Sequence, residues 1–140
     1  MSQLQNNCTI SDSRLMISDL LQTAESTPNA EIMKKRTKQF ALLVIRTCRG
    51  LPISDEKQII AGQLLRSATS VAANYRAACR ARSKAEFISK LGIVLEETDE
   101  SLFWLELLVD AGIASRDRMK LPLEEADELV SIFVSVAPHG

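Results

Sequence analysis

The feature that most constrains the fold of this chain is a set of seven residues at helical spacing between residues 88 and 109. Their separations alternate between three and four residues, which is typical of a helix that packs against nearly parallel or antiparallel neighbours. Ser83 and Glu86 have the spacing of a capping box before this segment, and Gly112 suits its end. The pattern predicts a helix from Ser83 to about Ala111 whose packing positions are Ile88, Leu91, Leu95, Thr98, Leu102, Leu105 and Val109.

Three further segments carry an apolar face at helical spacing and are bounded by capping or breaking residues. They run from about Ala30 to Arg49, from Asp55 to Arg80 and from Pro122 to Val136. No segment alternates apolar and polar residues as a strand does, so we expect an all-α fold, an antiparallel four-helix bundle in up-down-up-down order. A weak amphipathic stretch over 12–25 predicts an extra N-terminal helix. The predicted parts are a partly disordered N-terminal extension over 1–28, a bundle domain over 29–137 and a C-terminal tail over 138–140.

The composition excludes several classes of protein. Of the 140 residues, 46% are hydrophobic, but no apolar run approaches the roughly 20 residues of a membrane-spanning helix. The three cysteines are odd in number and far apart, which favours reduced thiols in a cytoplasmic protein over a disulfide framework. The single histidine is His139, and no spacing typical of a zinc site occurs. We therefore expect no metal, no cofactor, no catalytic residue and no enzyme activity.

The net charge of −1 conceals a strong separation of charge along the chain. Residues 31–90 carry 13 basic and 4 acidic side chains, whereas residues 91–140 carry 3 basic and 11 acidic ones. Such a separation suggests an electrostatic partner or a self-complementary assembly. In the plainer alternative, basic helices pair with acidic helices inside a single bundle.

Clustered lysine and arginine residues are the strongest sign of a binding site. Such a cluster could neutralise several phosphates, which is how sequence-independent nucleic-acid binding begins. Aromatic residues that could stack on bases are scarce, so structured RNA is favoured over single strands. The alternative is an ordinary solvated basic face. The candidate nucleic-acid-binding residues are Lys34, Lys35, Lys38, Arg46, Arg76, Arg80, Arg82 and Lys84.

A second apolar patch is predicted behind the packing positions of the 83–111 helix. Trp104 falls opposite Leu95 on a helical wheel, with Ile93 and Leu108 near it. One apolar seam is enough for a monomeric bundle, so a second patch needs another partner. We expect Ile93, Trp104 and Leu108 to form an oligomer interface, unless residues 12–25 cover them.

Two motifs resemble a known family. The first is GQLLRSATSVAANY from Gly62 to Tyr75, and the second is RARSKAEF from Arg80 to Phe87. With residues 96–108 they resemble the bacterial four helix bundle family, also called the 23S ribosomal RNA intervening-sequence protein family, over roughly residues 30–137. The resemblance implies an antiparallel four-helix bundle that assembles as a homopentamer. Relatives among the accessory variability proteins of diversity-generating retroelements imply RNA, DNA or a reverse transcriptase-like protein as partners.

Arg66, Ser70 and Asn74 belong to the first motif and recur every four residues. We interpret them as a structural polar track that pairs with Glu97 or Glu100. The expected function is that of a non-catalytic, oligomeric bundle that binds structured RNA through its basic surface. The alternative is an oligomeric interaction or adaptor module without a nucleic-acid role, whose basic and acidic faces meet across subunits.

Overall fold

The structure is a computed structural model that describes residues 28–136 as four helices. No strand occurs among these residues, which confirms the all-α prediction. Every helix boundary lies within two residues of the predicted one, whereas the predicted stretch over 12–25 and the tail over 138–140 lie outside the described residues. The helices are α1 (Pro28–Arg49), α2 (Asp55–Ala78), α3 (Lys84–Asp110) and α4 (Lys120–Val136).

Serine side chains begin two of the helices. The Oγ of Ser54 accepts a hydrogen bond from the backbone N–H of Lys57 at 3.1 Å, and that of Ser83 accepts one from Glu86 at 3.1 Å. Each bond satisfies one backbone N–H that the first turn of a helix leaves unpaired. The capping box differs from the prediction in one bond, because the Glu86 carboxylate accepts from the N–H of Arg82 at 2.9 Å rather than from that of Ser83.

The helices form an up-down-up-down bundle in which each packs against the next along the chain. Of the four main contacts between helices, that between α2 and α3 is the most extensive and that between α1 and α4 is the least. Tyr75 of α2 and Phe133 of α4 meet in the core with ring centroids 6.1 Å apart, and both are fully buried. The antiparallel order places the beginning of α1 and the end of α2 at the same end of the bundle.

The buried face of α3 is rotated relative to the predicted one. Leu91, Thr98 and Leu105 are buried as expected, but Leu95 and Leu102 are only half-buried. The complete buried face keeps the alternating three- and four-residue spacing and consists of Phe87, Leu91, Val94, Thr98, Ser101, Leu105 and Leu108.

A buried pair of hydroxyl groups explains the rotation. The Oγ of Ser101 donates to the Oγ of Ser67 on α2 at 2.9 Å, and both side chains are fully buried. The Ser67 hydroxyl in turn donates to the backbone carbonyl of Leu64. The Ser101 hydroxyl also lies 2.9 Å from the backbone carbonyl oxygen of Glu97. Two small, hydrogen-bonded serines allow α2 and α3 to approach closely, and a face chosen by apolar side chains alone misses them.

Candidate nucleic-acid interface

A groove with a basic rim runs between α1 and α2. Its volume is about 800 Å³. Three lysines lie within two turns of α1, and two arginines lie one turn apart near the end of α2. The floor is made of small side chains from both helices, so basic groups surround an open channel. The lining residues are Glu31, Lys34, Lys35, Lys38, Ala41, Thr69, Ala72, Ala73, Arg76 and Arg80.

Most of the positive charge in this groove has no counter-charge among the residues that the structure describes. The Nζ of Lys34 pairs with Glu31 at 2.9 Å. Within residues 28–136, no ion pair engages the four other basic groups, all of which are exposed: Lys35, Lys38, Arg76 and Arg80. The groove therefore presents several basic side chains to a multiply charged anion.

Three of the predicted binding residues lie outside the groove. Arg46 does not line the groove, because it lies in a separate depression between α1 and α4 beside Glu124, Glu125 and Glu128. Arg46 lies eight residues after Lys38 on α1, so it is rotated by about 80° around the helix axis relative to Lys38. Arg82 and Lys84 are exposed at the turn between α2 and α3 and do not line the groove.

Arg36 is a basic residue whose role the sequence does not reveal. It is buried, and its guanidinium donates to Glu125 at 2.9 and 3.0 Å and to Glu128 at 2.6 Å. Burial alone would lower the pKa of Arg36, but the hydrogen bonds and charges of Glu125 and Glu128 outweigh it and leave that pKa raised. Arg36 thus joins α1 to α4 and is unavailable to a ligand. Its position in a basic run gave no signal of this burial.

Within the predicted polar track, Arg66 connects two helices, whereas Asn74 makes a hydrogen bond within one helix. Arg66 of α2 donates to Glu97 at 3.4 Å and to Glu100 at 2.5 Å on α3. The hydrogen bond from Arg66 holds the pKa of Glu100 below its usual value. Asn74 instead donates to the backbone carbonyl of Ser70 at 2.9 Å, within its own helix.

The predicted oligomer interface includes one residue that cannot belong to a surface. Leu108 is fully buried inside the bundle, because the buried face of α3 is rotated toward it. Ile93 is 44% exposed. Trp104 is half-buried and donates through Nε1 to Glu100 at 3.3 Å. Its ring meets that of the exposed Phe103 edge-on, with centroids 4.9 Å apart.

Sequence reasoning missed the floor of the groove as part of a site. Thr69 and Ala73 are exposed and Ala72 is half-buried, so these positions of α2 face the channel rather than a packed neighbour. The available signal was the concentration of small residues on several faces of α2. Small residues indicate space for another chain segment or molecule beside α2, but they do not indicate which face of α2 it contacts.

No group of three or more His, Cys, Asp or Glu residues within 28–136 is placed to hold a metal ion. Cys48 is buried, and burial raises the pKa of its thiol, which disfavours the reactive thiolate. None of the four described helices combines the length and apolar character needed to cross a bilayer.

Residues 29–135 match the family model of the 23S rRNA-intervening sequence protein. The chain is also similar to a crystal structure of a protein with unknown function from the S23 ribosomal protein family of Bacteroides thetaiotaomicron VPI-5482. The two share 32% sequence identity with a TM-score of 0.67, and the match covers 74% of this chain and 95% of that one. No curated protein matches the chain. Because the family match includes all four helices and the whole groove, the chain belongs to the 23S rRNA-intervening sequence protein family.

Proposed function

We propose that this protein is a non-catalytic RNA-binding protein that holds structured RNA in the groove between α1 and α2. The observation that supports this most strongly is the set of four exposed basic side chains in one groove without ion-pair partners among the described residues. The matched family is named for an intervening sequence of ribosomal RNA, which makes RNA the favoured polyanion.

The groove favours recognition of phosphates rather than bases. None of the described residues that line it is aromatic, so they offer no platform for stacking on unpaired bases. Lysine and arginine one helical turn apart lie about 5.4 Å from each other along the helix axis, so several phosphates can be contacted at once. Such contacts position a nucleic acid without reading its sequence. The expected ligand is a duplex or folded RNA that is bound with little sequence preference.

The dependence of affinity on salt tests this proposal. If Lys35, Lys38, Arg76 and Arg80 each neutralise one phosphate, log K should fall with log salt with a slope of about −3.6. Affinity for a labelled RNA hairpin should then drop about 150-fold between 50 and 200 mM salt. The double variant Lys38→Gln with Arg76→Gln should reduce the slope by about two units, in a fluorescence anisotropy titration.

A matched double variant on another face is the control. Arg116→Gln with Lys120→Gln removes the same charge, and both residues line a depression at the start of α4. This variant should leave the slope unchanged. Absence of binding at 50 mM salt, or an equal loss in the control variant, would refute the proposal.

We further propose that the protein assembles as a homo-oligomer, with a pentamer favoured by its resemblance to pentameric family members. Five chains of 15.5 kDa would give a species of about 78 kDa in native mass spectrometry. The exposed side chains of Ile93 and of Phe103, whose ring contacts that of Trp104, are the apolar surface that such an assembly would cover. A monomer at micromolar concentration would refute this part of the proposal.

An interaction module without a nucleic-acid role is the second candidate. It is favoured by an acidic depression between α3 and α4, which is lined by Glu106, Asp110, Glu124 and Asp127 with a single basic residue, Arg116. In that case the basic groove of one subunit meets the acidic surface of another. High salt would then dissociate the oligomer, and RNA would not bind at any salt concentration.

A further inference from the structure

We infer that the basic groove between α1 and α2 is a docking site for the N-terminal segment of the same chain, residues 12–25. Among the described residues that line the groove, Ala41, Thr69, Ala72 and Ala73 have small side chains. Such a floor leaves room for a second chain segment to lie between the basic rims. The occupant we assign is this chain's own segment, because position and charge both favour it.

The first argument is position. The lining residues of α1 lie between Glu31 and Ala41, so the groove starts within about one turn of the beginning of α1 at Pro28. The part of α1 that lines it is about 15 Å long, and 14 residues in helical conformation would span about 21 Å. The chain that enters α1 at Pro28 therefore needs only a short reversal to place residues 12–25 along the groove.

The second argument is charge. Residues 1–27 carry three acidic side chains, Asp12, Asp19 and Glu25, against one basic side chain, Arg14. The groove is lined by five basic side chains and one acidic one. Asp12 and Asp19 are seven residues apart, the spacing that places two residues on one face of a helix. The apolar residues between them, among them Leu15, can cover the alanine floor.

If the proposed RNA binding holds, docking of the segment affects it. This effect rests on the proposed function, whereas the docking itself does not. A segment that occupies the groove competes with RNA for the same cations. The apparent affinity for RNA is then reduced by the fraction of molecules whose groove is free. The segment would thus act as an autoinhibitory contact that RNA must displace.

Zero-length cross-linking of the full-length protein tests the docking itself. A carbodiimide joins a carboxylate to a lysine amine only when the two are in contact. We expect Asp12 and Asp19 to be joined to Lys35 or Lys38 in preference to Lys57 and the other lysines outside the groove. An equal mixture of light and isotopically heavy protein shows whether the joined residues belong to one chain. Cross-links that spread evenly over all lysines, or that join different chains, would overturn the inference.

A charge-neutral variant of the full chain supplies the second measurement. Asp12→Asn with Asp19→Asn should increase the acetylation rate of Lys35 and Lys38 and leave that of Lys120 unchanged. If the docked form is about 90% populated, this variant should bind the RNA hairpin about tenfold more tightly. Groove cross-links in the natural protein, together with no RNA binding even by the Asp12→Asn and Asp19→Asn variant, would refute the proposed function and leave the docking intact. RNA binding without groove cross-links would refute the docking alone.

Discussion

Arg36 is the charged residue whose removal should destabilise the bundle most. Its side chain is 6% exposed and makes three hydrogen bonds to two carboxylates of α4. Removing one partner of a buried ion pair costs about 3–5 kcal/mol when the remaining charge stays buried. Here the cost is smaller, because Glu125 and Glu128 keep 23% and 34% of their side-chain surface exposed and can be hydrated.

For Arg36→Met we expect the free energy of unfolding to fall by about 2–3 kcal/mol. Methionine retains most of the apolar stem and has a helix propensity close to that of arginine, so the loss reports mainly on the ion pair. It also removes Nη1, a buried nitrogen that has no hydrogen-bond partner among the described residues. For a domain of this size the change corresponds to a decrease in Tm of about 10 °C.

Urea denaturation followed by circular dichroism measures this change, and Lys34→Met is the matched control. Lys34 lies two residues earlier on α1 and pairs with the exposed Glu31 across a single turn. Such a surface pair contributes about 0.3–0.5 kcal/mol, so the control should be nearly as stable as the natural protein. A loss below about 1 kcal/mol for Arg36→Met, or equal losses for both variants, would refute the reasoning.

Three further predictions concern a helix end, the buried hydroxyl pair and a surface ion pair. Gly112→Ala should cost about 1–2 kcal/mol in urea denaturation, because an L side chain disfavours its φ of 74°. Gly92→Ala, within α3 and with open space around it, should gain about 0.5–1 kcal/mol, and a loss there would contradict this account. Ser101→Ala should lose about 0.5–1.5 kcal/mol in the same assay, and unchanged stability would show that the hydroxyl pair is neutral. Arg66 lowers the pKa of Glu100 in the folded protein. The stabilisation that this ion pair gives the folded state is therefore complete above the usual glutamate pKa and disappears as the pH falls through the lowered pKa of Glu100. An acid titration of stability should therefore be flatter for Glu100→Gln, and an identical titration would refute the contribution of the pair.

The helix boundaries could be predicted because they depend on local chemistry. Ser54 and Ser83 supply hydroxyl groups to the first turns of α2 and α3, and Gly112 supplies the positive φ that follows α3. These residue types are less favourable inside helices than at their ends, so their positions beside apolar helical patterns are informative.

The buried faces could be predicted only in part, because polar side chains contribute to them. Ser101 is buried by its hydrogen bond to a serine on α2, and Arg36 by its carboxylate partners on α4. In both cases the partner lies far away in the sequence, and nothing near the residue reveals it. The buried face of α3 that is predicted from apolar residues alone is therefore shifted by one residue at alternate positions relative to the observed face. This shift led to the incorrect assignment of Leu108 to the surface.

The order of the helices explains which charges are paired and which are not. The two basic helices, α1 and α2, are consecutive, as are the acidic helices α3 and α4, and in an up-down-up-down bundle consecutive helices are neighbours. Basic and acidic helices therefore meet at only two interfaces, where Arg66 binds Glu100 and Arg36 binds Glu125. Among the described helices, no acidic one lies beside the groove between α1 and α2, so four of its five cations lack an ion-pair partner there. The plain alternative, in which the helices neutralise one another, thus applies at the two mixed interfaces, whereas the charge of the groove remains available to a ligand, a second subunit or the N-terminal segment.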